Sequence, residues 1–193
     1  NVRLRCVRYE ESEPHPTQEA FHVEFIMPWQ TKTYGSVKIE ITFDEPVLLG
    51  AHVRPLLVTY DDVDGGVLSY ALEEIVIEKL RAAQQTLARR EKRLAKRRRS
   101  WLRPRSRDFY DLWQITSSAL PIDWTRVVAH LPKKCEMRSV TVASIDDVFA
   151  PDLIDDVKAK WQSQLEEFVT PPLPDVDEVL RQLRPRLATL LGW

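Results

Sequence analysis

Lys79 is the first residue in this sequence whose type and position suggest chemistry. It lies four residues after Ile75 and seven after Leu72, beside the apolar stripe of a predicted helix. A lysine there must extend to solvent, pair with an acid or face a cavity, because an unpaired ammonium group is costly to bury. The sequence leaves these three alternatives open.

A second pattern is the seven-residue run Arg-Asp-Phe-Tyr-Asp-Leu-Trp, which begins at Arg107. On a helix, Asp108 and Asp111 share a face, and Arg107 can pair with Asp111 four residues later. An acid near a helix start also interacts favourably with the helix dipole. The run therefore predicts either a site with two carboxylates or a stabilised helix start with an internal ion pair.

A third candidate is Glu40, which lies between Ile39 and Ile41 in an alternating segment. Alternation is typical of a strand, in which successive side chains point to opposite faces. If the isoleucines face the core, Lys38, Glu40 and Thr42 share the other face. That face could be exposed to solvent, or it could form the floor of a metal-dependent site.

Residues 89–107 are the strongest electrostatic feature, with eleven Lys and Arg residues and one acid, Glu91. Residues 139–180 have the opposite bias, with ten Asp and Glu residues and two lysines. The basic stretch could neutralise RNA phosphates, extend a solvated helix, or contact the acidic half of the chain. The residues predicted to bind nucleic acid are Arg89, Arg90, Lys92, Arg93, Lys96, Arg97, Arg98, Arg99, Arg103 and Arg105.

The composition excludes several other classes of protein. With 193 residues, 44% hydrophobic and 30% charged, the chain is typical of a soluble protein of one or two small domains. It has no membrane-length apolar run and no signal pattern, and its two cysteines form no disulfide framework, so we expect a cytoplasmic protein. The triplet Asp62-Val63-Asp64 precedes Gly65-Gly66 and indicates a turn rather than a metal site.

The elements that must position these residues change type along the chain. Alternating segments at residues 2–9, 21–27 and 37–43 predict strands, and residues 56–60 predict a shorter fourth strand. Helical periodicity follows, with a helix capped by Ser69, another from Ser106, one over 153–168, and a last one near 175–191 that Pro185 should kink or split. We therefore predict an α+β fold with a mixed or antiparallel sheet in residues 1–66 and a helical region in residues 67–193, which carries the basic insertion 89–107.

Taken in order, three segments resemble the AbiEii family of nucleotidyltransferase-fold toxins from toxin–antitoxin and phage-defence systems. They are Val-Lys-Ile-Glu-Ile from Val37, the helix with Leu-Glu-Glu and Glu-Lys-Leu that contains Lys79, and the run from Arg107 to Trp113. The second and third segments are fairly specific as a pair. The resemblance extends from Val37 to the C-terminus.

The resemblance implies transfer of a nucleoside monophosphate from an NTP to RNA, in related toxins to the 3′ end of tRNA, with Mg²⁺ as the cofactor. By this likeness Glu40 is the late-strand acid beside the metal ions, and Lys79 contacts the triphosphate. Asp108 or Asp111 positions or activates groups near it, and the likeness does not separate the two. A helix-turn-helix antitoxin is the partner that the resemblance implies.

Residues 1–36 depart from the family pattern, since they contain no Gly-Ser motif followed by Asp-x-Asp ahead of the Glu40 strand. We therefore expect this chain to be inactive alone, because the metal-binding pair of acids is missing. One alternative is a catalytically dead module of the same fold that binds RNA or a partner protein. Another is a structural domain in which Lys79 and Asp108 form an internal ion pair.

Overall fold

The computed structural model describes residues 2–9, 17–32, 35–55, 65–96 and 102–193. The chain divides into two compact units, Asn1–Pro46 and Val47–Trp193. The sequence places its boundary between residues 66 and 67 instead, and that domain assignment stays a prediction. The strand predicted at 56–60 and the triplet Asp62-Val63-Asp64 lie outside the described residues.

The first unit contains a three-stranded antiparallel sheet in the order β1-β2-β3. Its strands are β1 (Arg3–Tyr9), β2 (Gln18–Ile26) and β3 (Gly35–Thr42). Each strand alternates apolar and polar residues, as the sequence predicted, and Glu40 lies opposite Ala20 of β2. Ile39 and Ile41 are both 42% exposed, so they do not enter a core. Because both isoleucines are exposed, their alternation with Glu40 does not identify a buried face of the sheet.

The second unit begins with a hairpin of β4 (Ala51–Pro55) and β5 (Gly66–Tyr70), followed by helices. The helices are α1 (Leu72–Ala95), α2 (Ser106–Ser117), α3 (Trp124–Glu136), α4 (Ile145–Val148), α5 (Pro151–Leu165) and α6 (Val176–Leu191). The α+β class with antiparallel strands before the helices is therefore confirmed. No helix within the described ranges is long and apolar enough to cross a membrane.

The start of α1 differs from the sequence prediction. Ser69 does not cap the helix, because its backbone pairs with His52 in the β4–β5 hairpin. The helix begins at Leu72 after Ala71, and the acids Glu73 and Glu74 lie in its first turn, where the helix dipole favours negative charge. The tertiary pairing of the hairpin thus moves the helix start three residues beyond the capping signal.

The core of the second unit is formed by the apolar faces of its helices. Helix α1 contributes Val76, Ile77 and Leu80, which are all fully buried, and α2 contributes Phe109 and Leu112. Helix α6 runs from Val176 to Leu191 through Pro185, so the helix is not split there. A proline lacks the N–H for one helical hydrogen bond. Burial of the α6 residues on either side of it offsets that loss; these are Val179, Leu183 and Leu187.

Candidate functional site

Lys79 of α1 lies between two carboxylates of α2. Its Nζ donates to Asp108 Oδ1 at 3.0 Å and to Asp111 Oδ2 at 2.6 Å. The two acids are three residues apart on α2 and therefore share a face. The structure thus brings together the three residues that the sequence predicted as catalytic. Of the alternatives open for Lys79, two are observed together, because its side chain pairs with acids and also lines an open groove.

The other oxygen of Asp108 is held by Arg105. The Arg105 Nη1 atom donates to Asp108 Oδ2 at 2.9 Å, and its Nε donates to Thr86 Oγ1 on α1 at 2.8 Å. The Arg105 side chain is only 11% exposed. Asp108 is therefore fixed by cations on both oxygens, whereas Asp111, at 46% exposed, is the more accessible acid.

Arg107 does not pair with Asp111, although their helical spacing allows such a pair. Its Nε donates to the backbone oxygen of Gln164 at 3.0 Å, and its guanidinium lies 3.8 Å from the centre of the Phe168 ring. The predicted ion pair between Arg107 and Asp111 is therefore wrong. Asp111 instead binds Lys79 of the neighbouring helix, a tertiary contact that helical spacing does not reveal.

Burial and charge act in opposite directions on the protonation of Lys79. Burial alone would lower the pKa of Lys79, but the negative charges and hydrogen bonds of Asp108 and Asp111 raise it above its ordinary value. Lys79 therefore stays a cation through the physiological range. For Arg105, burial is the larger effect and lowers the pKa despite the nearby Asp108.

An open groove of about 340 Å³ lies beside Lys79 and is lined by residues of β5, α1, α2 and the segment before α2. This volume lies within the range of small-ligand pockets, about 300–1,000 Å³. Its lining includes two carboxylates, Glu78 and Asp108. The cations that line it are Lys79, Arg81, Arg103 and Arg105. The excess of cations over acids suits a ligand with several negative charges.

A second lysine cluster, which the sequence analysis missed, lies deeper in the same unit. Lys134 of α3 donates from Nζ to Glu74 Oε1 at 2.7 Å and lies 2.8 Å from Glu78 Oε1. Glu74 Oε2 accepts from the backbone N–H groups of Leu48 and Leu49 at 3.1 and 3.0 Å. A signal existed in the sequence, because Lys134 comes three residues after Leu131 and therefore lies near the apolar face of α3.

Glu78 connects this buried cluster to the groove. One of its oxygens faces Lys134, and the other accepts from Arg81 Nε at 3.2 Å. Arg81 also donates from Nη1 to Gln85 Oε1 at 2.7 Å. Burial would raise the pKa of Glu78, but its hydrogen bonds to Arg81 and Lys134 lower it below its ordinary value. Glu78 is therefore ionised and helps to hold the Arg81 guanidinium at the groove.

Glu40 lies on β3 of the first unit. Its Oε1 atom is 2.7 Å from Lys38 Nζ, and its side chain is 43% exposed. The Lys38 ammonium also lies 4.7 Å from the centre of the Tyr9 ring. The nearest charged partner of Glu40 is thus a cation on its own strand, and its role as a metal ligand stays a prediction.

The carboxylates in the described ranges do not fit a two-metal centre. Within those ranges, no group of three or more His, Cys, Asp or Glu residues could hold a metal ion. Asp108 uses both oxygens to accept from Lys79 and Arg105, and Asp111 Oδ2 accepts from Lys79. Mg²⁺ prefers carboxylate and water oxygens in octahedral geometry, and bound cations compete for those oxygens. The predicted Mg²⁺ therefore gains no support from these residues.

The residues predicted to bind nucleic acid separate into two groups. The first group surrounds Arg89, which is exposed as a residue although its guanidinium is partly buried. This partial burial lowers the pKa of Arg89, and the positive charges of Arg103, Arg138, Arg81 and Arg93 lower it further. Arg90 instead forms an ion pair within the protein, between its Nη1 and Asp152 Oδ2 of α5. The other members within the described ranges are Lys92, Lys96 and Arg105, while Arg97, Arg98 and Arg99 lie outside those ranges. Binding of RNA by the stretch stays a prediction.

Comparison with known proteins gives one family and one fold. A family model described as the nucleotidyl transferase AbiEii toxin of type IV toxin–antitoxin systems matches residues 4–182, so the match begins well before Val37. No protein with curated functional information matches the chain.

Two crystal structures of Helicobacter pylori proteins are similar in fold. One, described as a candidate nucleotidyltransferase, has a TM-score of 0.53 and 16% identity, and the match covers 99% of this chain and 67% of that one. The other, JHP933, has a TM-score of 0.52 and 16% identity, and the match covers 99% of this chain and 65% of that one. The chain thus spans about two thirds of the length of both. At this identity the likeness shows the fold alone.

Proposed function

The chain belongs to the AbiEii family of nucleotidyltransferase toxins of type IV toxin–antitoxin systems, and from this we propose that its protein transfers a nucleoside monophosphate from an NTP to RNA. The 3′ end of tRNA is the proposed acceptor. The observation that carries the proposal is the cationic groove, in which Lys79 is held by Asp108 and Asp111. A family of this kind acts on nucleotides and has an antitoxin partner; a helix-turn-helix antitoxin and a role in phage defence are parts of the proposal.

The groove supports triphosphate binding by its charge and by its fixed geometry. Lys79 stays protonated, and its ammonium is oriented by two acids, so little side-chain entropy remains to be lost when a phosphate binds. Arg81 and Arg105 are held by hydrogen bonds to Glu78 and Asp108 and line the same groove. Pre-oriented cations stabilise the negative charge of a triphosphate, which is the main requirement of nucleotidyl transfer.

The proposal assigns different tasks to the two acids of α2. Asp108, fixed by Lys79 and Arg105, positions the phosphate-binding cations. Asp111 is more exposed, and Lys79 holds only its Oδ2 whereas cations hold both oxygens of Asp108, so Asp111 is the acid better placed to receive a proton from an acceptor hydroxyl. Glu40 contributes only by the resemblance, since its observed partner is Lys38.

The chain alone is proposed to be inactive. Residues 1–36 contain no Gly-Ser motif followed by Asp-x-Asp ahead of Glu40, and the described carboxylates do not fit a metal centre. The testing experiment therefore compares the 193-residue chain with the complete protein, defined as the product expressed from the native start codon of its gene. Each of the four NTPs, labelled at the α-phosphate, is incubated with total tRNA and Mg²⁺.

The site is tested in the same assay with Lys79→Met. Its matched control is Lys158→Met, since Lys158 is half-exposed and pairs with Asp177 on α6. We expect label transfer by the complete protein, loss of transfer in Lys79→Met and retention in Lys158→Met. Transfer that persists in Lys79→Met would refute the site. Transfer by the chain alone would refute its proposed inactivity.

The second candidate function is a catalytically dead module that binds RNA or a partner protein. The observation that favours it is the set of arginines whose positive charges act on Arg89, because a polyanion can bind to them without any chemistry at Lys79. Folded complete protein that transfers none of the four nucleotides but binds tRNA would favour this candidate over the enzyme.

A further inference from the structure

One face of α1 continues the groove beyond Lys79 towards the C-terminus of the helix. Glu78, Ala82, Gln85, Arg89 and Arg93 follow one another at spacings of four, three, four and four residues, so they share a face. The first three of them line the groove. With a rise of about 1.5 Å per residue, Arg89 lies about 15 Å along the helix axis from Lys79.

The far end of this face is rich in arginines from separate elements. Arg103, which precedes α2, lines the groove and is exposed, as is Arg89. The pKa of Arg89 is lowered first by burial and then by Arg103, with Arg138 at the end of α3 contributing as well. Cations whose charges lower the pKa of Arg89 mark a place where positive charge accumulates, and a polyanion would relieve the repulsion.

Arg90 belongs to a different face of the same helix. Its guanidinium pairs with Asp152 at the start of α5, whose segment is part of the acidic half of the chain. Two adjacent arginines of the basic stretch therefore lie on different sides of α1. Arg90 contacts the protein's own acidic half, and Arg89 faces the groove side.

We propose that the arginine face, defined as Arg89, Arg93 and Arg103, binds the sugar–phosphate backbone of the single-stranded 3′ end of the acceptor RNA and leads it to Lys79. This inference rests on the proposed function, because it takes Lys79 as the place of phosphoryl chemistry. A free 3′ end fits because the groove is open and the arginine face continues it along α1. Backbone phosphates contact such a face without regard to base sequence.

The test measures RNA binding without NTP or metal, so that it does not depend on catalysis. The probe is an RNA hairpin with a 5′ fluorophore and a single-stranded 3′ overhang, compared by anisotropy with the same hairpin made blunt. The variant is the double substitution Arg89→Ala and Arg103→Ala. Its charge-matched control is Arg90→Ala with Arg126→Ala, which also removes two exposed or half-exposed arginines from the second unit. The proposal takes Arg90 out of the predicted nucleic-acid-binding set, because its guanidinium pairs with Asp152.

We expect the variant to bind the overhang RNA about tenfold more weakly than the unmodified protein, and the control to bind within about twofold. The slope of log K against log salt should become less steep by about 1.4 in the variant, since each lost contact with a single strand removes about 0.7. The blunt hairpin should bind more weakly than the overhang RNA, with little further loss in the variant.

Equal losses of RNA affinity in the variant and the control would overturn the inference, because RNA binding would then depend on total positive charge and not on the arginine face. Equal binding of blunt and overhang RNA would overturn it as well. Failure of the proposed function is a separate result. If the complete protein transfers no nucleotide but the two double variants differ in RNA binding as expected, the proposal for the arginine face stands and the proposed transferase activity is refuted. Transfer that depends on Lys79, with no effect of the arginine face on RNA binding, would instead retain the enzyme and overturn the arginine face.

Discussion

Two lysines of the helical unit each lie between two carboxylates, yet their surroundings differ. Lys134 is 2% exposed, and its partner Glu74 is 1% exposed and also accepts two backbone N–H groups. Lys79 is 16% exposed and lines an open groove together with its partner Asp108, and its other partner Asp111 is 46% exposed. The same charges thus form a structural cluster where water is excluded and a candidate ligand site where it enters.

The comparison also explains why pKa shifts alone do not identify a functional residue. In both lysines burial lowers the pKa, but the carboxylates raise it by more, so each lysine stays a cation. What separates the two is whether another molecule can reach the charge. Access to the groove, rather than the electrostatics of the pair, makes Lys79 the candidate.

The largest effect is expected from Lys134→Met, which tests whether the buried cluster is structural. Removing the cation leaves Glu74 charged in a buried position, which typically costs about 3–5 kcal/mol. The free energy of unfolding, measured by urea denaturation, should fall by this amount. Lys133→Met is the matched control, because Lys133 is the exposed neighbour on the same helix and should change stability by less than about 0.5 kcal/mol. A loss below about 1 kcal/mol for Lys134→Met would show that the buried cluster is not a major source of stability.

The next largest effect is expected from Lys79→Met, and it should fall on ligand binding. A hydrogen bond to a charged group contributes about 1.5–3 kcal/mol, so NTP affinity should fall roughly tenfold to hundredfold. Asp108 keeps Arg105 as a partner and Asp111 is half-exposed, so stability should change by about 1 kcal/mol or less. Calorimetric titration with NTP and urea denaturation measure the two effects. A stability loss as large as that of Lys134→Met would make this cluster structural too.

A smaller difference is expected between the two acids of α2. Asp108→Asn weakens contacts with both Lys79 and Arg105 and should cost about 1–2 kcal/mol of stability. Asp111→Asn affects an acid that is 46% exposed, so its cost should be about 0.5 kcal/mol or less. Thermal unfolding of the two variants side by side gives the order. The reverse order would mean that Asp111, not Asp108, fixes Lys79.

The smallest expected effect is in the dependence of the Lys134 contribution on pH. Because the folded-state pKa of Lys134 is raised above its ordinary value of 10.5, the stabilisation is fully present below that value and is lost as pH rises through the folded pKa. The stability difference between the unmodified protein and Lys134→Met should thus be constant from about pH 7 to about 10 and shrink above 10.5. Urea denaturation across this range measures it. A difference that stays constant above pH 10.5 would mean that the charge of Lys134 does not carry this contribution.

The sequence predicted the local elements around the candidate site well. The alternation in β1, β2 and β3 and the apolar spacing of α1, α2 and α5 are properties of neighbouring residues, which their backbone hydrogen bonds and one-sided burial make regular. It missed α3, although Val127, Leu131 and Cys135 follow at four-residue steps and Asp123 caps the helix. The cap of α1 was wrong because a strand pairing claimed Ser69.

The α+β order of elements, the likeness to the AbiEii family and the shared face of Asp108 and Asp111 could all be predicted, since they follow from residue type and short-range spacing. Which charges meet depends on the folding of distant segments against each other. Lys79 pairs with acids 29 and 32 residues away, and Lys134 with an acid 60 residues away. Such partners are chosen by the packing of α1 against α2 and α3, and burial in that packing decides whether a lysine between two carboxylates supports the fold or faces a ligand.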